Sequence, residues 1–162
     1  MQMFRKMRRN KQQLSERESI KILESATAGI LALSGDGDYP YAVPISYVYS
    51  GSKLYFHSAV SGHKIDAIRK SDKASFCVIS QDHIVPEEYT TYYKSVVAFG
   101  RIRVLTEETE KRAAIELLAE KYHPAGTPKE RSATISEAWP RLALLELRIE
   151  HMTGKAAREL MN

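Results

Sequence analysis

The pattern of apolar and polar positions divides the chain into short strands with a few helices between them. Runs rich in β-branched and aromatic residues, which favour strands, occupy residues 29–33, 41–49, 54–58, 73–80, 92–105 and 142–152. Turn-forming residues join the first three runs closely, which is typical of an antiparallel meander. Six such strands favour a small barrel, because closing a sheet removes its exposed edges. We therefore predict a mainly β fold of the α+β class with peripheral helices.

Helix signals occur between these strands. Ser15 begins the first predicted helix and is followed three residues later by a carboxylate, which is the spacing of a capping box. Thr127 repeats this spacing and is followed by a proline, a residue favoured at the first helical position. We predict two further helices, one over residues 61–69 and one capped by Thr106.

Three predicted strands contain informative positions. Pro44 cannot donate to a β-ladder, so it indicates a bulge, a sheet edge or a ligand-facing gap. Gly100 interrupts a long strand and indicates a bend or bulge. In the last strand, Leu145 and Leu147 flank Glu146, so we predict one buried face and one solvated face.

Composition places the chain among globular proteins. Its 162 residues are 43% hydrophobic and 27% charged, which suits one ordinary domain and excludes a wholly disordered chain. No run approaches the ~20 apolar residues of a membrane span. The first residues lack the apolar core of a secretory signal, so we predict a cytoplasmic protein. Cys77 lies in an apolar run and is predicted to be a buried, inert thiol.

The net charge of +4 is concentrated near the N-terminus. Residues 1–17 carry six basic groups and one acidic group, whereas the other 145 residues carry 18 basic and 19 acidic groups. We therefore divide the chain into a basic arm (1–12), one folded domain (13–156) and a short tail (157–162). The arm is predicted to be solvated or packed against a partner. Phosphate contacts through residues 5–11 remain a less favoured alternative, because the folded part is near neutral.

The segment most informative about chemistry is a strand, a small-residue turn and a helix start over residues 54–64. We predict Ser61 as the N-cap, which places His63 and Lys64 in the first helical turn. Cations are unfavourable there, because that end already carries about half a positive charge. Free N–H groups, the close approach that Gly62 allows and the lysine would together hold a phosphate. The alternative is an ordinary helix start with two exposed basic side chains.

Other catalytic patterns find little support. The glycine spacing matches neither a Walker loop nor a dinucleotide fingerprint. His57 and His63 have no cysteine or carboxylate cluster beside them, so no metal site is predicted. No nucleophile elbow surrounds Ser58 or Ser61, which argues against a hydrolase triad. Trp139 could line a site, although core packing is the commoner role of a tryptophan.

The order of several blocks resembles a known family. These blocks are Pro40-Tyr41-Ala42-Val43-Pro44, Phe56-His57-Ser58-Ala59 with Gly62-His63-Lys64, residues 93–100, residues 144–147 and residues 152–155. Together they resemble the flavin-binding split-barrel superfamily related to pyridoxamine 5'-phosphate oxidase, and most closely its Nim-type branch of 5-nitroimidazole resistance proteins. The similarity spans roughly residues 5 to 156, and the block over 56–64 is its most specific part.

This resemblance implies a six-stranded antiparallel split barrel that forms a homodimer with two FMN sites at the subunit interface. It also assigns roles to residues. Those that would contact the isoalloxazine ring are Val43, Pro44, Ile45, Phe56 and His57. Those that would hold the phosphate are Ser58, Gly62, His63 and Lys64. Ser95 would come from the neighbouring chain or the facing strand, Trp139 would close the pocket, and His57 is the candidate proton donor.

Two departures from the pyridoxamine phosphate oxidases proper argue against vitamin B6 oxidation. Residues 41–45 replace their arginine-rich strand, and the C-terminus lacks their Arg-Leu substrate motif. We therefore predict an FMN-dependent reductase that takes hydride from NAD(P)H and passes electrons to a small oxidised molecule such as a nitro-heterocycle. The alternative is a non-catalytic flavin or haem binder acting as a sensor or carrier.

Overall fold

The computed structural model describes residues 4–161, which form one antiparallel sheet with four α-helices around it. The strands are β1 (Gln13–Leu14), β2 (Ala28–Ser34), β3 (Pro40–Ser46), β4 (Val48–Ser50), β5 (Lys53–Ala59), β6 (Lys73–Val85), β7 (Thr90–Val104) and β8 (Leu142–Ala156). The helices are α1 (Glu16–Ser25), α2 (His63–Lys70), α3 (Glu108–Tyr122) and α4 (Pro128–Ala138). The predicted α+β class is confirmed, and both capping boxes form, at Ser15 and at Thr127.

The sheet is rolled into a split barrel. Its strand order is β3-β2-β6-β7-β8-β5-β4, with β1 paired to β8. The two end strands, β3 and β4, are separated in the chain by Tyr47 alone, so one continuous segment belongs to both ends of the sheet. The predicted count of six strands is wrong, because the run 41–49 divides at this residue and β1 adds a short strand.

Contacts with the end of α3 explain why the strand divides at Tyr47. The Tyr47 hydroxyl donates to the carbonyl oxygen of Leu23 in α1 at 2.6 Å, and the Tyr47 ring is fully buried. Its backbone N–H donates to the Tyr122 hydroxyl at 2.9 Å, and its carbonyl accepts from Lys121 Nζ at 2.9 Å. These side chains satisfy the backbone groups that a neighbouring strand would otherwise pair. Burial lowers the pKa of Lys121.

The interior of the rolled sheet holds the main hydrophobic core. Its largest buried side chains include Tyr47, Phe56, Phe76, Leu23, Leu31 and Leu54. A second cluster lies beneath α3 and consists of Val48, Leu105, Ala114, Leu118 and Leu144. The apolar face of α3 therefore covers the outside of the sheet next to β4 and β8.

One face of β8 departs from the prediction. Glu146 was predicted to be solvated, but it is buried, because α3 packs over this part of the strand. Arg103 Nε donates to its carboxylate at 3.1 Å, and the Lys53 ammonium lies 3.4 Å away. Arg103 also forms an ion pair with Glu110 of α3 at 3.0 Å, so this arginine connects the helix to the sheet.

The chain ends pack against the sheet over the residues that the structure describes. The Phe4 ring stacks on His151 with a centroid distance of 4.9 Å and lies 5.6 Å from the Phe99 ring. Within the predicted tail, Ala157 is buried and donates its N–H to the Tyr93 carbonyl at 2.9 Å. Residues 1–3 of the predicted arm and residue 162 of the predicted tail lie outside the described residues.

Candidate functional site

Helix α2 begins with an open N-terminus. Its N-cap is Gly62, so the prediction of Ser61 as the cap is wrong. Gly62 has φ 127° and ψ −177°, which side-chain-bearing residues rarely adopt. No side chain among residues 4–161 caps the free N–H groups of the first turn. A Cβ at Gly62 would meet none of the described atoms within 4 Å, so the space over the helix end is available to an acceptor.

Lys64 is the cation without a partner at this helix end. Its side chain is half-buried, and within the described range 4–161 it forms no ion pair. Asp66 lies in the same turn but is exposed. The lysine therefore adds an uncompensated positive charge to the positive end of the helix macrodipole.

His63 is held by its neighbours. Its ring stacks on Tyr41 with a centroid distance of 3.9 Å, and its Nε2 lies 4.0 Å from the carboxylate of Asp36. That carboxylate is 95% exposed, so its attraction for the imidazole is weak in water. The prediction that His63 and Lys64 fall in the first turn of this helix is confirmed.

Strand β5 divides its three candidate residues between two faces. Phe56 is fully buried in the core, where its ring packs edge-on against Phe76 at 5.3 Å. Phe56 is 0% exposed, so a single chain leaves neither its ring nor its backbone accessible to the flavin that it was predicted to flank. Ser58 follows on the same face, and its hydroxyl donates to the carbonyl of Ala59 at 2.8 Å. His57 points to the opposite, outer face and is exposed.

The candidate residues of β3 also alternate between the two faces of the sheet. The side chains of Val43 and Ile45 pack against the core, so only their backbone can face a ligand. Pro44 points outward and is exposed, and it pairs in register with Ile30 of β2. Since β3 is an end strand of the sheet path, the missing N–H of Pro44 falls at an edge, as one of the three sequence alternatives predicted.

A cavity of about 610 Å³ lies between β5 and the helix pair α3–α4. His57 and Ser46 lie on its strand side, and both apolar and polar side chains from the two helices and their connection form most of the remaining wall. Those apolar residues include Ile115, Leu118, Ile135 and Ala138. Sequence reasoning missed this cavity and Ser46, because nothing in a helix sequence shows that two helices leave space between them and a strand.

Two predicted site residues lie elsewhere in the chain. Ser95 of β7 pairs with Ile79 of β6 and Lys155 of β8. Strand β8 lies between β7 and β5 in the sheet, but the β5 candidates pair with residues 143–145, at the other end of β8 from Lys155. Within its own chain Ser95 therefore lies far from them, and its origin in the neighbouring chain stays a prediction. Trp139 lies beside Lys111, whose ammonium is 4.4 Å from the ring centroid, and it lines a different surface depression. Trp139 does not line the cavity beside His57 in this chain, and its role in closing the flavin pocket stays a prediction.

Further chemistry is limited in the described part of the molecule. Burial raises the pKa of the Cys77 thiol, which suits the inert thiol that we predicted. Over residues 4–161, no group of three or more His, Cys, Asp or Glu side chains is placed to hold a metal ion. None of the helices in this range is both long and apolar enough to cross a membrane.

The family model named pyridoxamine 5'-phosphate oxidase matches residues 15–156, which is most of the chain. The chain belongs to the pyridoxamine 5'-phosphate oxidase family. Its rolled sheet is accordingly the flavin-binding split barrel of that family, and the resemblance drawn from the sequence is confirmed.

Individual relatives agree with this family assignment. An uncharacterised protein of Rhizobium meliloti is 30% identical over 154 residues, which cover 89% of this chain and 93% of that protein. The structure is similar to a FAD-binding protein from Mesorhizobium loti, with a TM-score of 0.64, 29% identity and coverage of 90% and 96% of the two chains.

More distant structures share the fold. One is a Bacteroides thetaiotaomicron protein described provisionally as a 5-nitroimidazole antibiotic resistance protein, with a TM-score of 0.76, 20% identity and coverage of 89% and 86%. Another is a FAD and haem binding protein from Mycobacterium smegmatis, with a TM-score of 0.69, 21% identity and coverage of 91% and 74%.

Proposed function

We propose that this family member binds FMN and acts as a reductase that passes electrons from a nicotinamide donor to a small oxidised molecule. The observation that carries this proposal is the N-terminus of α2, where a glycine cap lies beside a lysine that forms no ion pair within residues 4–161. The flavin-binding family and the FAD-binding relative from Mesorhizobium loti support a flavin in general. We also propose a cytoplasmic location, since such a reductase needs a supply of reduced nicotinamide.

The residues at α2 fit a phosphate monoester. Free N–H groups of the first turn, the Lys64 ammonium and the His63 imidazole are all donors, and Gly62 leaves room for close approach. A monoester carries about two negative charges on a single phosphate near neutral pH, whereas each of the two phosphates in the FAD diphosphate carries about one. The helix macrodipole and an uncompensated lysine favour the more highly charged group, which is why we propose FMN.

The chain's own groups would position and protect the reaction. A bound flavin supplies hydride acceptance and one-electron transfer. The outward backbone of residues 43–45 and the exposed Pro44 offer a flat edge beside β5. His57 stands where this edge meets the apolar cavity, and an imidazole exchanges a proton readily near neutral pH. The apolar side chains that α3 and α4 contribute to the cavity would limit water on that side.

The test is an absorbance spectrum followed by an anaerobic titration. We expect purified protein to be yellow, to release FMN on denaturation, and to bleach when NADH or NADPH is added without oxygen. Adding 2-methyl-5-nitroimidazole should then restore the oxidised spectrum. A Soret band in place of flavin absorbance would instead identify a haem binder, and a flavin that neither nicotinamide reduces would identify a sensor or carrier.

We further propose that the protein works as a homodimer. Exposed apolar side chains lie on β6 and in the turn that joins it to β7: Ile79 is 64% exposed, Ile84 66% and Tyr89 98%. Such a concentration on one hairpin is typical of a contact surface. Ser95 lies on the same hairpin, so a second copy docked there would bring this serine toward a site from which it is distant in its own chain.

Sedimentation velocity tests the dimer. We expect the protein to sediment as a dimer and Ile79→Lys to shift it toward monomer, because the change places a charge within the apolar contact. Val60→Lys is the matched control, since Val60 is 50% exposed but lies outside this hairpin. A monomeric native protein, or equal dissociation of both variants, would contradict the proposed interface.

A further inference from the structure

The cavity between β5 and the helix pair α3–α4 has the size of a ligand pocket. Its volume of about 610 Å³ lies within the range of roughly 300–1,000 Å³ that drug-sized molecules occupy. A single five-membered ring would fill only a small part of it. A molecule of two or three fused rings is therefore the better match in size.

The charged groups around this cavity are already paired. The Arg131 guanidinium, whose side chain is 16% exposed, lies 3.6 Å from a carboxylate oxygen of both Glu116 and Glu120. The Glu130 carboxylate accepts from the backbone N–H of Thr127 at 3.1 Å and completes the capping box of α4. An ionised ligand would have to compete with these internal partners, so the lining does not favour a charged molecule.

The neutral polar groups divide into engaged and available ones. The Tyr122 hydroxyl contacts the carbonyls of Thr27 and Tyr47, and the Thr134 hydroxyl donates to the Glu130 carbonyl at 3.0 Å. Within residues 4–161, the side chains of Ser46, His57 and His123 line the cavity and make no hydrogen bond; Ser46 and His57 lie together on its strand side, and His123 lies at the end of α3. Each can donate one hydrogen bond to a neutral acceptor such as a ketone oxygen.

We propose that this cavity binds an uncharged, largely apolar molecule of two or three fused rings whose carbonyl oxygen faces Ser46 and His57. Apolar walls with a few convergent neutral donors are the usual chemistry of such sites. The inference deepens the proposed function by naming the class of molecule held beside His57. It rests on that proposal only for placing a cofactor next to the ligand, since the binding itself involves no flavin.

Equilibrium dialysis with 9-fluorenone tests the site, and 9-fluorenone-2-carboxylate is the charged analogue of the same shape. We expect the neutral ketone to bind at one molecule per chain and the carboxylate to bind at least tenfold more weakly. Equal binding of the two compounds, or no saturable binding of the ketone, would overturn the inference.

Matched substitutions on α4 locate the binding. Ala138 lines the cavity and Ala133 is exposed on the same helix. We expect Ala138→Trp to weaken fluorenone binding at least tenfold and Ala133→Trp to leave it unchanged, with cooperative thermal melting confirming that both fold. If Ala138→Trp does not fold, Ala119→Phe fills the same cavity from α3. Unchanged binding in the cavity-filling variant would refute the location.

Flavin absorbance of the same samples separates the two proposals. Bound flavin without fluorenone binding would defeat the cavity inference and leave the proposed function standing. Fluorenone binding by a protein that holds no flavin would support the cavity inference and defeat the proposed function.

Discussion

Lys64→Glu protein should be purified almost colourless, with its affinity for FMN reduced about 100-fold. The substitution removes a charge-assisted contact worth roughly 1.5–3 kcal/mol and places a carboxylate near the phosphate. About 2.7 kcal/mol corresponds to two powers of ten in the dissociation constant. Acid is favourable at a helix N-terminus, so α2 itself should tolerate the change. Fluorescence titration of the apoprotein with FMN gives the dissociation constant directly.

Arg69→Glu is the control for this charge reversal. Arg69 lies in the last turn of the same helix and is exposed. The variant makes an identical change in net charge at the opposite end of α2, so its affinity for FMN should stay within about threefold of the native protein. If both variants lose flavin equally, net charge and not the helix N-terminus governs binding. Full retention of flavin by Lys64→Glu would contradict the proposal that the phosphate binds at the N-terminus of α2.

Gly100→Ala should destabilise the protein by about 3 kcal/mol, the upper part of the range for overpacked sites. A Cβ at this position would collide with the backbone carbonyl oxygen of Arg148 on β8. The ladder between β7 and β8 shifts register between Phe99 and Gly100, which confirms the predicted irregularity. Backbone atoms cannot rotate away as a side chain can, so the two strands would have to separate. Thermal unfolding should show Tm lowered by roughly 6–12 °C for a domain of this size.

Gly51→Ala separates this collision from the general cost of replacing a glycine. Gly51 has φ 58°, and a Cβ there would meet none of the described atoms within 4 Å. The expected loss is about 1 kcal/mol, arising from the left-handed backbone alone. Equal destabilisation by the two substitutions would show that β7 and β8 can separate locally at little cost.

Residues whose role depends on neighbours in sequence were predicted well. The capping boxes at Ser15 and Thr127 rest on groups three positions apart, which every helical conformation brings together. The bulge at Gly100 and the edge position of Pro44 follow equally from what those residues can do with their own backbone. The cluster of Gly62, His63 and Lys64 was found because a cation at a helix start is a local anomaly.

Residues whose role depends on distant partners were predicted poorly. The alternation along β8 predicted that Glu146 is solvated, yet α3 buries it beside Arg103. Phe56 was assigned to a ligand because of its neighbours in sequence, although alternation along β5 turns its ring into the core. Trp139 was placed at the site, whereas the actual course of α4 takes it to Lys111.

The amino-acid sequence by itself determined the capping-box starts of α1 and α4, the presence of His63 and Lys64 in the first turn of α2, and the family. Each of these depends on interactions between residues that are close in the chain, or on motifs carried intact within it. Only the tertiary structure decided where the barrel splits, because Tyr47 pairs with the end of α3, about 75 residues away. It also decided that β5, α3 and α4 line a cavity, because the space between elements depends on how they pack and no sequence motif marks it.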